Sequence, residues 1–215
     1  MVKKSIVIGV KMYGKDILIV CGLEQETQGQ LDDWNVLYTG VGKINATYKL
    51  TELFGTYHSR PAVRRNHPLV INYGTAGSRE LPVGELVDCT RFIQRDMDCT
   101  GFGILKGQTP FESPNDMVIK SKSEFNPIDK NYTCGTGDNF VDNIEDEIEY
   151  VDVFDMEAYA LAKVCSYYYV SFISFKYITD NVNEHSVGDW NDNLGKGVIQ
   201  FKERVLDLLT IEEEF

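Results

Sequence analysis

Short apolar runs and helical stripes alternate along this chain. Strands are predicted at the apolar runs 5–10, 17–22, 35–40, 68–74, 84–96, 132–138, 150–155 and 170–180. The run at 17–22, ILIVCG, is continuous rather than alternating, as in strands that are buried on both faces of a sheet. It is therefore a stronger strand candidate than the run at 5–10.

Three segments between or after these runs carry apolar residues at helical spacing. The stripes are Ala46, Leu50, Leu53 and Phe54; Ala160, Leu161, Val164 and Cys165; and Val198, Phe201, Val205, Leu208 and Leu209. They predict helices that begin after Gly42, at Glu157 and at about residue 197. Loops are predicted at 23–33, with at most a short helix, and at 59–68, 100–127 and 181–196. Strands that alternate with helices predict an α/β protein with a largely parallel or mixed sheet.

Length, charge and cysteine content narrow the class of protein. The chain has 215 residues, enough for one sizeable α/β domain. Its 21 Lys and Arg against 33 Asp and Glu give a net charge of -12, which argues against nucleic-acid or anionic-membrane partners. The apolar run at 5–10 is too short for a signal peptide, and no window reaches the length of a membrane span. We expect a cytoplasmic protein.

The cysteines and histidines form no recognisable metal-binding or disulfide pattern. The five cysteines, at 21, 89, 99, 134 and 165, include no CxxC pair, and several lie in apolar strand or helix patterns. His58, His67 and His185 fall in loop-like segments. We expect free thiols in a reducing compartment, no metal and no cofactor.

Three carboxylates stand just after predicted strands: Glu26, Glu157 and Asp180. The carboxyl ends of parallel strands meet at one edge of a sheet, so these side chains could share a pocket. Asp180 ends an aromatic-rich apolar strand, where loss of hydration would raise its pKa and suit it to act as a general acid. The residues alone leave other roles open. Asp180 could cap the turn at 181–183, and Glu157 could stabilise a helix dipole.

Small residues follow two other strands. The run GTAG at 74–77 is predicted as a turn that offers backbone N–H groups and a hydroxyl, although an ordinary turn would look the same. Gly40 and Gly42 allow a close backbone approach to a ligand, but they do not form a full dinucleotide-binding motif.

Five motifs taken together resemble a known family. GTAG (74–77), RDMDCTGFG (95–103), TGDNF (136–140), DMEAYALAKVC (155–165) and ITD (178–180) are similar to those of the nucleoside phosphorylase superfamily. The likeness is greatest to the 5′-methylthioadenosine/S-adenosylhomocysteine nucleosidases. The motifs follow the family's order and cover most of the chain from about residue 17. The resemblance implies a single domain with a central mixed sheet flanked by helices in a three-layer sandwich, a purine nucleoside as substrate, and a homodimer or higher homo-oligomer.

The resemblance also implies a role for each matching residue. Glu26 would activate the attacking water, Asp180 would protonate purine N7, and Glu157 would hold the ribose hydroxyls. The remaining predicted substrate-binding residues are Thr75 beside ribose and water, Phe140 stacked on the base, Val141 at the base edge, Met156 in the wall of the sugar pocket, Thr179 next to the acid, and Trp190 over the 5′ side of the sugar.

The chain departs from the family pattern in three places. Only some thirteen residues separate Glu26 from Gly40, where the family has a longer helix and a hairpin that helps to form its dimer. Residues 1–16 precede the matching domain at 17–215 as an N-terminal extension, which could add a strand. Lys176 stands where the family has an arginine near the acid.

Hydrolysis is the favoured reaction because residues 22–30 contain no Arg or Lys and two Glu, so phosphate would meet negative charge there. A phosphate-dependent phosphorylase stays open, since Arg91, Arg95, or Arg64 or Arg65 of a second copy could supply cations. A nucleosidase for a 7-deazapurine nucleoside is another alternative, although that base has no N7 for Asp180 to protonate. A non-catalytic nucleoside-binding protein is the third.

Overall fold

A computed structural model of the chain describes residues 11–12, 15–58, 68–143 and 149–209. The predicted strand at 5–10 and nearly all of the predicted loop at 59–68 lie outside the described residues. So do His67, Arg64 and Arg65.

The described residues form nine strands in one mixed sheet. Their bounds are β1 (Lys11–Met12), β2 (Lys15–Cys21), β3 (Val36–Tyr38), β4 (Leu69–Gly77), β5 (Leu86–Gln94), β6 (Val118–Lys120), β7 (Tyr132–Thr136), β8 (Val153–Asp155) and β9 (Phe172–Asp180). Strand β2 is parallel to β3 and β4, β4 is parallel to β9, and β7 is parallel to β5 and β8. The other pairs, β1–β2, β4–β8, β5–β6 and β5–β9, are antiparallel. The predicted mixed sheet is confirmed.

The sheet closes on itself at one end. Pairing runs from β4 through β9, β5, β7 and β8 and back to β4, where Gly77 lies opposite Phe154. The ends of β4, β7, β8 and β9 are therefore held around a common centre.

Helices cover both faces of the sheet. They are α1 (Glu24–Thr27), α2 (Lys43–His58), α3 (Ala158–Tyr167), α4 (Ser186–Asn193) and α5 (Val198–Phe201), and α5 continues through a π-turn at Lys202–Leu206 and a 3₁₀ turn at Asp207–Leu209. Strand β2 shows why: Leu18 and Val20 join the core under α2 and α3, whereas Ile17, Ile19 and Cys21 join the core under α5. Successive strand residues point to opposite faces, so a continuous apolar strand needs cover on both sides. The three-layer arrangement is confirmed.

Four predictions of local structure were wrong. Residues 74–77 continue β4 instead of forming a turn, because their backbone pairs with residues 176–180 of β9. The segment 181–196 contains α4, whose Trp190 lines a pocket instead of adding to an apolar stripe. The predicted loop 100–127 contains β6 and two 3₁₀ turns. Leu208 is exposed and Leu206 is buried, because the π-turn adds a residue to the helical repeat and rotates the buried face.

No helix in the described part of the chain has both the length and the apolar character that crossing a bilayer requires. All five cysteines are free thiols, and four of them are buried.

Candidate active site

A pocket of about 210 Å³ opens where β2, β4, β8 and β9 end. All nine of the predicted site residues line it: Glu26, Thr75, Phe140, Val141, Met156, Glu157, Thr179, Asp180 and Trp190. Sequence reasoning placed these residues on separate strands and loops, and the closing of the sheet brings them together.

Glu26 is fixed at the edge of the pocket by hydrogen bonds from two segments. Its Oε1 accepts from the backbone N–H of Thr75 at 2.7 Å and from the Thr75 hydroxyl at 2.9 Å. Its Oε2 accepts from the N–H of Leu23 at 2.9 Å. A Cβ on Gly74 would lie 3.1 Å from Glu26 Oε1, so a glycine lets the carboxylate rest against β4. The buried Glu26 therefore has a defined orientation.

Glu157 immediately precedes α3, but its side chain does not cap that helix. Its Oε1 accepts from the N–H of Gly42, at the start of α2, at 2.8 Å. Gly42 has φ +93°, which favours glycine, so the close approach predicted for the Gly40 and Gly42 pair is made to a carboxylate of the chain itself. Burial, with the negative charges of Asp155 and Glu26, raises the pKa of Glu157 to about 8.

Asp180 lies at the end of β9 with both carboxylate oxygens hydrogen-bonded. Thr179 Oγ1 donates to Oδ2 at 3.0 Å, and the N–H of Val182 donates to Oδ1 at 3.1 Å. The turn-capping role left open by the sequence is thus present alongside a place in the pocket wall. Val182 adopts φ 55°, a conformation that is rare for a β-branched residue. Burial raises the pKa of Asp180 above its ordinary value, which favours a carboxyl that can carry a proton.

Asp155 and Lys176 form a buried ion pair that sequence reasoning missed. Lys176 Nζ lies 2.8 Å from Asp155 Oδ2, and both side chains are at most 1% exposed. The N–H groups of Glu157 and Ala158 also donate to that oxygen, at 3.2 and 2.8 Å, so Asp155 caps α3. Burial opposes ionisation, but the charge of Lys176 holds the pKa of Asp155 below its ordinary value. A lysine inside the apolar strand FISFKYITD was the available signal, because a buried charge requires a partner.

Arg95 supports the segment that carries the predicted base-stacking residue. Its guanidinium donates to Asn139 Oδ1 at 3.1 Å and to the Asn139 carbonyl at 2.5 Å, and Phe140 follows directly. Arg91, the other cation considered for phosphate, donates to Thr133 and does not line the pocket. The segment 137–141 therefore rests on a buried arginine.

The pocket has two chemically different parts. Phe140, Val141, Phe154, Met156 and Trp190 provide apolar and aromatic walls. The carboxyl groups of Glu26, Glu157 and Asp180 provide acid–base groups around them. Across the described ranges, no group of three His, Cys, Asp or Glu side chains is arranged to hold a metal ion. Such a site can bind a flat apolar base and a polyhydroxylated ring and can move protons at both.

The chain is similar to known proteins along most of its length. The family model described as the phosphorylase superfamily matches residues 16–210. A 5′-methylthioadenosine/S-adenosylhomocysteine nucleosidase of Geobacillus thermodenitrificans is 28% identical over an alignment of 221 positions, which covers 94% of this chain and 89% of the relative.

Solved structures share the fold. A mutant of the Helicobacter pylori enzyme MTAN with 5′-methylthioadenosine in the active site matches with TM-score 0.75 and 19% identity, over 91% of this chain and 99% of that one. The futalosine hydrolase of Helicobacter pylori matches with TM-score 0.74 and 20% identity, over 89% of this chain and 97% of that one. These structural likenesses show the fold.

We predict opposite effects of two glycine-to-alanine substitutions. A methyl group on Gly77 would lie 2.7 Å from Asp180 Oδ1 and 2.9 Å from Val182 Cγ2, so Gly77→Ala should lower the free energy of unfolding by about 1–3 kcal/mol. Among the described residues, no atom lies within 4 Å of such a methyl group on Gly55, in α2, so Gly55→Ala should raise the free energy of unfolding by about 0.5–1 kcal/mol. Urea denaturation measures both. Equal effects of the two substitutions would contradict the predicted crowding at Gly77.

The raised pKa of Glu157 predicts a pH-dependent stability. Between about pH 4.5 and about pH 8 the folded protein keeps a proton that the unfolded chain has released, so stability falls as pH rises through this window. Glu157→Gln cannot ionise and should gain stability relative to the wild type as pH rises. Urea denaturation at several pH values tests this, with the exposed Glu203→Gln as the control. A Glu157→Gln difference that stays constant with pH would show that Glu157 is ionised throughout.

Proposed function

The chain belongs to the phosphorylase superfamily, and we propose that it is a nucleosidase. It would hydrolyse the N-glycosidic bond of 5′-methylthioadenosine, S-adenosylhomocysteine or a related purine nucleoside to free base and sugar. The observation that carries the proposal is the meeting of Glu26, Glu157 and Asp180 in one pocket beside an aromatic wall. Relatives that align along most of the chain are named for this activity.

Asp180 is the proposed general acid. Breaking an N-ribosidic bond leaves the electron pair on the purine, so protonation at N7 makes the base a better leaving group. The buried Asp180 has a raised pKa and lies in the same pocket as Phe140 and Val141, the proposed base-binding residues. Thr179 donates to Asp180 Oδ2 and so orients the carboxyl group.

Glu26 is the proposed general base. As the base departs, positive charge develops on the ribose ring, and water deprotonated by Glu26 adds to the anomeric carbon. Gly22 leaves space for that water, because a Cβ there would lie 3.4 Å from Glu26 Oε2 and 3.7 Å from Glu157 Oε1. An acid and a base that act on opposite sides of the sugar follow the logic of inverting glycosidases.

Glu157 is the proposed ribose-binding group. In its ionised form the carboxylate can accept hydrogen bonds from both the 2′- and 3′-hydroxyls, and the positive charge that develops on the sugar in the transition state favours this ionised form. Met156, which precedes it, would form one wall of the sugar site, and Trp190 would cover the 5′ side. Thr75, between Glu26 and Trp190, would lie close to both water and ribose.

Hydrolysis is better supported than phosphorolysis. Among the described residues, Arg95 is the only Lys or Arg that lines the pocket, and its guanidinium already donates to Asn139. Lys176 lies behind the pocket wall in its ion pair with Asp155. In hydrolysis Glu26 would assist the attacking water. A phosphate dianion in the place of that water would be repelled by the Glu26 carboxylate.

The assembly and location are part of the proposal. We infer a cytoplasmic homo-oligomer, since free thiols suit a reducing compartment and large apolar side chains are exposed. Phe102, Leu105 and Phe111 are exposed after β5, as are Ile44 and Tyr48 on α2. A second copy of the chain would cover such side chains. Lys11 and Met12 form the short strand β1, which pairs with β2 and supports the inference that the N-terminal extension adds a strand to the domain at 17–215.

A nucleoside panel tests the reaction. The protein is incubated with 5′-methylthioadenosine, S-adenosylhomocysteine, adenosine, futalosine and a 7-deazapurine nucleoside, with and without phosphate, and the products are separated by chromatography. We expect free base and free sugar without phosphate, and little cleavage of the 7-deaza compound because it has no N7. Strict dependence on phosphate with a sugar 1-phosphate product would overturn the proposal, as would binding without cleavage.

Substitution of the proposed acid and base tests their roles. Asp180→Asn and Glu26→Gln should each lower kcat by about 10²–10⁴-fold with a smaller change in KM, because each removes proton transfer in the transition state. Asp192→Asn, an exposed carboxylate on α4, is the matched control and should retain wild-type kcat in the same steady-state assay. Full activity of Asp180→Asn would refute its assignment as the acid.

A further inference from the structure

A chain of hydrogen bonds joins α4 to the proposed general base. The indole Nε1–H of Trp190 donates to Thr75 Oγ1 at 3.1 Å, and the Thr75 hydroxyl donates to Glu26 Oε1 at 2.9 Å. We propose that Trp190 is a positioning residue for Glu26, acting through Thr75, in addition to covering the sugar. This inference rests on the proposed function, because it assigns Trp190 a part in activating water.

The direction of these hydrogen bonds follows from the chemistry of the groups. A threonine hydroxyl has one proton and two acceptor lone pairs and can rotate, whereas an indole N–H can only donate. When Trp190 donates to Thr75 Oγ1, the single hydroxyl proton remains for Glu26. The N–H of Thr75 donates to the same carboxylate oxygen at 2.7 Å. Two donors from one residue therefore fix Glu26 Oε1, and the indole selects the hydroxyl orientation that makes this possible.

Helix α4 is also tied to the acid side of the pocket. Asn193 Nδ2 donates to the carbonyl of Thr179, next to Asp180, at 3.0 Å, and Ser186 Oγ accepts from the N–H of Asn183 at 2.8 Å in the turn that follows Asp180. Ser186 and Asn193 are the first and last residues of α4, and Trp190 lies between them. The same short helix thus contacts the residue before the proposed acid and, through Thr75, reaches the proposed base.

The Trp190→Phe substitution separates a role of Trp190 in positioning Glu26 from a role in covering the sugar. A phenyl ring would still form an apolar wall over the sugar, but it has no N–H to donate. If Trp190 only covers the pocket, Trp190→Phe should act mainly on substrate binding. If it positions Glu26, the substitution should act on turnover and only while the Thr75 hydroxyl is present.

Steady-state kinetics test this proposal. The values of kcat and KM are measured for Trp190→Phe, Thr75→Val and the double variant with the substrate that the wild type cleaves best. We expect Trp190→Phe to lower kcat about three- to tenfold, the size of one neutral hydrogen bond, with KM within about twofold. In the Thr75→Val background, Trp190→Phe should lower kcat no further. An equal loss in both backgrounds, an unchanged kcat, or an effect confined to KM would overturn the proposal. Trp34→Phe is the control, since Trp34 is the chain's other tryptophan and packs on the core beneath α5.

A second measurement does not depend on activity. In ¹⁵N-labelled Trp34→Phe protein, Trp190 gives the single indole N–H signal, which should shift and exchange faster with water when Thr75→Val is added. An indole signal unchanged by Thr75→Val would show that the hydrogen bond is absent and would overturn the proposal. If the wild type cleaves no nucleoside, the nucleosidase proposal fails, and the role of Trp190 in activating water fails with it. A failed kinetic test in an active enzyme refutes the Trp190 role alone.

Discussion

The buried ion pair between Lys176 and Asp155 underlies the geometry of the whole site. Removing either charge would leave the other unpaired in the interior, which is strongly destabilising. Asp155 also accepts from the Thr136 hydroxyl at 2.5 Å, and Thr136 in turn accepts from the N–H of Tyr159 at 2.8 Å. One pair of charges therefore joins β9, β8, β7 and the start of α3, and it determines where Glu157 emerges.

The ion pair lies where the sheet closes on itself. Strand β8 contributes only Val153–Asp155 and pairs with β4 at a single position, so it is a short bridge between two halves of the sheet. The polar groups at its end stabilise a junction that backbone pairing alone would hold weakly. The same groups hold the start of α3, so the contacts that stabilise this junction also orient one wall of the pocket.

Sequence patterns predicted the α/β class of fold and the meeting of the three carboxylates, which depend on local periodicity and on the general rule that parallel strand ends converge. The two helical layers were implied by the family resemblance. The partner of Lys176 depends on which strands become neighbours, and periodicity carries no information on that. Helix α4 was predicted as a loop because it buries little apolar surface, and Leu208 was predicted as buried because a regular helix was assumed where the chain forms a π-turn. The roles of the pocket residues came from resemblance, and the structure adds their geometry.

The protonation of Glu157 has a consequence for recognition. A carboxyl group whose pKa is raised to about 8 is largely uncharged at neutral pH. A ligand that carries a positive charge in place of the ribose ring would favour the ionised form, so its binding would expel a proton into the solvent. The affinity for such a cation would strengthen as the solution becomes more alkaline, up to about pH 8, and part of the heat of binding would come from the buffer that takes up the proton. The pocket would in this way distinguish a positively charged sugar mimic from a neutral nucleoside, because only the charged ligand would favour loss of the proton from Glu157.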